Sequence, residues 1–124
     1  KQRGFEITDC GTYDSASCHY PVFAQKVAEA VTSGAAEKGI LVCGTGVGMS
    51  MAANKIKGIR AACVSDCFSA EATRAHNDAN IVCFGQRVVG EGLAFKIVDT
   101  FLDTKFEGGR HQIRIDMVNE LDNK

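Results

Sequence analysis

Short apolar runs alternate along this chain with stretches whose apolar positions recur every three or four residues. The segment "FEITDCG" (5–11) reads as a strand ending in a turn. From Pro21 to Ser33, residues Phe23, Val27, Ala30 and Val31 keep helical spacing, with Pro21 early and Gly34 just past the end. "GILVC" (39–43) reads as a buried strand, and residues 48–55 predict a short helix. "GIRAACV" (58–64) predicts the next strand. "CFSAEATRAHN" (67–77) predicts a helix with Ser69 as its cap. "NIVCFG" (80–85) follows as a strand, and Leu93, Ile97, Val98 and Phe101 place a helix over about 90–102. After "EGGR", residues Ile113, Met117, Val118 and Leu121 mark a last amphipathic helix, about 110–122. Near-continuous apolar strands alternating with helices mean a parallel sheet covered on both faces. The expected class is α/β: a three-layer, Rossmann/flavodoxin-like parallel sheet with helices on both faces, in a single domain over 1–124.

The opening breaks this regularity. "KQRG" looks like the last turn of a helix, with basic residues, then a C′ glycine, then a strand. A preceding βα unit adds roughly 20 residues. In a flavodoxin-like strand order 2-1-3-4-5 its strand lies in mid-sheet. Without it, "FEITDC" and "GILVC" flank an unfilled slot with two unpaired edges. The expectation is that the first strand is missing from this sequence and that the natural protein is longer.

Composition removes several function classes. No window is apolar for long enough to cross a bilayer. A net charge of −1 with scattered Lys and Arg leaves no electrostatic footprint for nucleic acid. Of the six cysteines, Cys43, Cys63 and Cys83 sit inside apolar runs, where a free thiol behaves as a small hydrophobe. No basic-then-apolar leader opens the sequence, so the cysteines, including Cys10, Cys18 and Cys67, are expected reduced and the protein cytoplasmic. Cys63 and Cys67 are spaced C-x3-C without a second ligand pair, and His19 beside Cys18 adds little, so no metal is expected.

The chemistry concentrates in "LVCGTGVGMSMAANK" (41–55). Its glycines follow a strand and open a helix, which aims backbone N–H groups at one spot above the strand ends. The pattern G-x-G-x-G misses the dinucleotide spacing by one residue and lacks the GK[ST] of a P-loop. An anion site is the better reading. Cys43 stands directly before it, where a helix N-terminus favours the thiolate. A thiolate beside an oxyanion nest suits covalent attack on a carbonyl, or proton abstraction next to one with the nest holding the enediolate. A strand-end cysteine with no chemical task is the plain alternative.

Other polar residues add parts. "RAHNDAN" places His76 and Asn77 at a helix end, where a histidine is also a common cap or surface residue. "EGGRHQIR" puts Arg110 and Arg114 on one helical face, either a phosphate clamp or a solvated surface. His111 lies on another side of that turn and is assigned no role.

Taken together, "CGTGVGMSMAANK", "GIRAA", "HNDAN", "GQRVVG", "FEGGRHQIR" and "DCGTYDSASCHYPVFAQKVAEAV" resemble ribose-5-phosphate isomerase of the B type, in the family that also holds galactose-6-phosphate isomerase subunits. The resemblance runs along essentially the whole chain in order. It implies a single sugar-phosphate isomerase domain, an intramolecular oxidoreductase converting ribose 5-phosphate and ribulose 5-phosphate through a cis-enediolate in the pentose phosphate pathway, without metal or cofactor. By position, Cys43 is the base and His76 the acid that opens the ring. The N–H groups of Gly44, Thr45, Gly46, Val47 and Gly48 hold the enediolate, with Thr45 a catalytic residue beside its oxygens and Ser50 among the substrate-binding residues. Asn77 holds a sugar oxygen, Tyr20 lines the pocket, and Arg110 and Arg114 take the phosphate. Arg87 reaches in from a neighbouring subunit, since family sites lie at the interface of a homodimer or dimer of dimers. The family's opening strand and its Ser-Asp-His-Ala-Gly loop are not in this sequence, in line with the slot argued above.

Two rivals remain at this level. One is a neighbouring specificity, allose 6-phosphate or galactose 6-phosphate. The other is a non-catalytic phosphosugar-binding module, which needs the N–H nest but not the thiol. A redox role for Cys43 lacks a resolving cysteine nearby in sequence, although Cys63, Cys67 or Cys83 could approach in the fold.

Overall fold

The structure, a computed structural model, describes residues 4–11 and 19–124. The helical turn expected at the start and Cys18 lie outside the described residues. Gly4 has φ 79, the left-handed conformation expected of a C′ glycine.

Three parallel strands, β1 (Gly39–Cys43), β2 (Ala61–Cys63) and β3 (Ile81–Gly85), stand in the order β1-β3-β2. Gly39 pairs with Ile81 and Cys43 with Gly85 on one side of β3, and Ala61 to Cys63 pair with Ile81 to Cys83 on the other. The last strand therefore sits between the two earlier ones, where a flavodoxin-like order places it outside them. Side-chain character explains the swap. All of β3, Ile-Val-Cys-Phe-Gly, is buried, as a central strand requires. Ala61-Ala62-Cys63 is short, small and partly exposed, which suits an edge. "FEITDC" forms no strand. It lies across an open groove of about 1360 Å³ from β1, lined by Phe5, Ile7, Val27, Ile40, Val42 and Leu102 among others.

Alternation along β3 separates two cores. Ile81 and Cys83 face α1 (Tyr20–Thr32) and α2 (Val47–Ala53), packing with Leu41, Ala24, Ala28, Met49 and Ala53. Val82 and Phe84 face α3 (Cys67–Ala75) and α4 (Glu91–Asp103), packing with Ala70, Ile97 and Phe101. Each element matches its expected range within a few residues. The cap of α3 does not: Asp66, not Ser69, is the N-cap, accepting the Ser69 N–H at 2.6 Å and its hydroxyl at 2.9 Å. Those bonds, the backbone one first, hold the Asp66 carboxyl below the usual range. The cap's contribution is therefore present above the ordinary carboxylate pKa and is lost as pH falls through the lowered one. No helix among the described residues is long and apolar enough to cross a membrane.

The fifth helix, α5 (Arg110–Glu120), ends in a 3-10 turn, Leu121–Asn123, and lies across the amino ends of the strands. Polar bonds fasten it there. The Gly58 N–H donates to the Asp122 carboxylate at 2.8 Å, and the Arg60 guanidinium donates to Asn119 Oδ1 at 3.1 Å. Of its side chains only Ile115 is buried; Ile113, Met117, Val118 and Leu121 are exposed.

Candidate active site

At the carboxyl ends of the strands, the chain turns from Cys43 through Gly44, Thr45 and Gly46 into α2. Gly46 takes φ 84, and a Cβ there would meet the Phe84 backbone at 2.8 Å. The turn lies on the end of β3. A Cβ on Gly85 would come within 2.4 Å of both the Gly44 carbonyl oxygen and the Thr45 Cα. Sequence reading did not single out Gly85. Its signal is a glycine ending a strand where a neighbouring loop must cross. Replacing Gly85 with alanine is expected to cost about 1–3 kcal/mol or more, the scale of overpacking a core, and to lower turnover by displacing the loop. Gly90→Ala is the control, because a Cβ there meets nothing within 4 Å and its φ is −77. Urea midpoints of both variants measure the difference.

Hydrogen bonding sorts the loop's donors. The Gly46 N–H donates to Cys43 Sγ at 3.0 Å, and the Val47 N–H to Thr45 Oγ1 at 3.3 Å. These two groups, expected to face a substrate oxyanion, serve the protein's own sulfur and hydroxyl. The N–H groups of Thr45, Gly48 and Met49 have no backbone partner among the described residues. Ser50, expected to bind substrate, is buried, with its hydroxyl donating to the Val47 carbonyl at 2.7 Å. Gly48 lies against Tyr20: a Cβ there would touch the phenol ring at 2.7 Å. The Arg87 N–H donates to the Gly44 carbonyl at 3.1 Å, and its side chain crosses Gly44, 3.6 Å from where a Cβ would be. Arg87, expected from a neighbouring subunit, thus lies on the glycine turn of its own chain.

All five described cysteines are free thiols. Cys63 lies beside the turn, its Sγ donating to the Thr45 carbonyl at 3.5 Å. Burial, and then the neighbouring Cys43, push the Cys63 thiol up. Cys83, within β3, is pushed up to about 12, by burial first. At neutral pH only about one part in 10⁵ of such a thiol is ionised. Among the described cysteines, Cys43 alone accepts a backbone N–H at its sulfur. Iodoacetamide at neutral pH is therefore expected to modify Cys43 first, Cys63 more slowly, and Cys83 only after unfolding. Peptide mass spectrometry over time checks the order, and labelling of Cys83 as fast as Cys43 would contradict it.

His76 and Asn77 belong to the opposite end of the sheet. They follow α3 and precede β3, in a loop shaped by Asp78, which takes φ 48. Arg74 donates to the Asp78 carboxylate at 2.8 Å, and Arg60 donates to the Asp78 carbonyl at 2.8 and 3.0 Å. Asn80 Oδ1 accepts the Arg60 N–H at 2.8 Å. Within "HNDAN" these residues build the loop, while His76 and Asn77 stand exposed on it. The Glu107 N–H donates to the Ala75 carbonyl at 3.0 Å, which brings the start of α5 to the same place. Arg110 and Arg114 are exposed on the first turns of α5. His111, assigned no role from sequence, stacks on His76 with ring centroids 4.5 Å apart and planes 16° from parallel.

The expected site residues thus fall into two groups. Cys43, Gly44 to Gly48, Tyr20 and Arg87 gather at the carboxyl end; His76, Asn77, Arg110 and Arg114 gather at the amino end. Five residues of strand separate these ends by roughly 13 Å at about 3.3 Å per residue. One chain does not bring Cys43 and His76 together. The signal was legible, since the cysteine follows a strand while the histidine precedes one, and parallel strands send these to opposite ends.

Comparison with known proteins agrees with the fold and the motifs. A family profile described as Ribose/Galactose Isomerase matches residues 1–118. Ribose-5-phosphate isomerase B of Escherichia coli (strain K12) is 49% identical over 123 residues, covering 99% of this chain and 83% of that protein. The structure of Clostridium thermocellum ribose-5-phosphate isomerase B superposes with a TM-score of 0.97 at 51% identity, covering 98% of this chain and 82% of that one. Ribose-5-phosphate isomerase B of Mycoplasma genitalium, solved with bound ribulose-5-phosphate, gives a TM-score of 0.94 at 44% identity, covering 99% of this chain and 82% of that one. On the strength of a match along nearly its whole length, the chain belongs to the ribose/galactose isomerase family.

Proposed function

We propose that the chain is an aldose–ketose isomerase interconverting ribose 5-phosphate and ribulose 5-phosphate, and that each site is completed by two copies of the chain. The observation that carries this reading is the Gly46 N–H donating to Cys43 Sγ at 3.0 Å, at the lip of a turn whose neighbouring N–H groups stay open. A thiolate held this way takes the proton from C2 of the open-chain sugar. The electron pair forms the cis-enediolate, whose oxygens lie against the free N–H groups of Thr45, Gly48 and Met49. The hydroxyl proton passes from O2 to O1, and the thiol returns its proton to C1. The step is redox neutral and calls for no external electron acceptor.

His76 of a second copy protonates the ring oxygen to open the furanose, Asn77 beside it takes a sugar hydroxyl, and Arg110 and Arg114 bind the phosphate. Arg87 and Tyr20 line the carboxyl-end half of the same pocket. Exposed apolar side chains flank both halves, Val47, Met51 and Val88 at one end and Ile113, Met117 and Leu121 at the other, as a pairing surface requires. The free thiols fit a reducing, cytoplasmic setting.

The family description spans ribose and galactose substrates, so the assay compares ribose 5-phosphate, allose 6-phosphate and galactose 6-phosphate. Pentose turnover exceeding both hexoses supports the reading. A hexose preference moves the chain to the neighbouring specificity. Phosphosugar binding without turnover of any of the three makes it a binding module.

A further inference from the structure

Three donor groups meet at the amino end of the sheet: the two stacked imidazoles and the Glu107 carboxylate. Glu107 Oε1 lies 3.5 Å from His111 Nε2 and 4.0 Å from His76 Nε2, and all three atoms lie within 4.8 Å of one another. Neither distance is a hydrogen bond. The three ligand atoms converge on one point at the surface, as the donors of a bound cation do.

We propose that His76, Glu107 and His111 form a binding site for a borderline divalent transition-metal ion of the zinc type, and that the ion inhibits the enzyme. Two neutral imidazoles and one carboxylate are a donor set such ions take, with a fourth position left for water. Metal–ligand bonds of about 2.0–2.1 Å in a tetrahedron put donor atoms roughly 3.4 Å apart. The Glu107–His111 pair already has that spacing, and its members are four residues apart at the start of α5. The His76 side chain is 47% exposed and has room to turn its Nε2 inward. The backbone on both sides is anchored, through the Glu107–Ala75 bond and the Asp78 loop.

The inhibition rests on the acid role proposed for His76, because a metal-bound Nε2 neither carries nor delivers a proton. The binding itself does not rest on it. The test is a titration of the full chain with Co²⁺, read by visible absorption, for the natural sequence and for His111→Asn and Glu107→Gln. The expected result is d–d bands without a thiolate charge-transfer band, and an affinity falling roughly 10–100-fold or more in each variant. Circular dichroism confirms that the exposed substitutions leave the fold intact. Equal affinity in both variants, or a thiolate band pointing to Cys43 and Cys63, overturns the site. Zn²⁺ inhibition is then measured against each protein's own metal-free rate, with the inhibition constant expected to rise in parallel with the lost affinity. Co²⁺ binding that depends on His111 and Glu107 without any Zn²⁺ inhibition keeps the site and overturns the acid role of His76.

Discussion

Replacing Cys43 with alanine is expected to lower turnover of ribose 5-phosphate by roughly 10²–10⁴-fold, the range that a positioned general base contributes. Phosphosugar affinity should stay within a few-fold of the parent, since the proposed phosphate contacts come from Arg110 and Arg114. Among the described residues the thiol makes one hydrogen bond, accepting the Gly46 N–H at 3.0 Å. Alanine removes that bond but keeps the backbone ones, the Gln86 and Arg87 N–H groups donating to the Cys43 and Gly44 carbonyls at 2.8 and 3.1 Å, so the turn should keep its shape. Turnover against sugar concentration, with binding measured separately by calorimetry, divides the effect between kcat and KM. Full turnover in the variant would sink the proposed mechanism. Lost binding together with lost turnover would mean that the loop, and not the base, had been removed.

The second large effect is a recovery. Cys43→Ala and His76→Asn should each be nearly inactive alone. In a two-fold pair whose sites draw the cysteine from one copy and the histidine from the other, a mixed pair contains one site with both residues intact. Random exchange makes half the pairs mixed, each with one of its two sites working, so about a quarter of the parent activity should return. Co-expression with two affinity tags isolates the mixed species and doubles that figure. A mixture as dead as its parents would mean that cysteine and histidine do not belong to different copies of one site. The experiment also decides the part of Arg87, which lies on its own chain's Gly44 turn and so should complement as the cysteine does.

What could be read before any coordinates were seen was local. "GILVC" is β1 residue for residue, because four apolar positions between a glycine and a glycine turn have few other options. The turn at Gly46 and the open helix start were legible for the same reason. Strand order was not, since it depends on which strand is apolar enough to be buried on both sides, and the β3 sequence outcompetes Ala61–Cys63 for that place. "FEITDC" alternates as a strand should, but a strand needs a neighbour to pair with and this one faces a groove. His111 drew no role because stacking on His76 requires Glu107 to dock on Ala75, thirty-two positions back in the chain, and nothing local encodes that contact.

The proposed base and acid, at opposite ends of one sheet, have a kinetic consequence. When two copies join to form both sites, dissociation extinguishes both at once and a lone chain contributes nothing. At concentrations well below the dissociation constant, the rate then grows with the square of the chain concentration, and specific activity is itself proportional to concentration. A tenfold dilution there lowers the measured rate about a hundredfold. The order of the reaction in enzyme, two at high dilution and one at high concentration, becomes a direct reading of how tightly the copies hold each other.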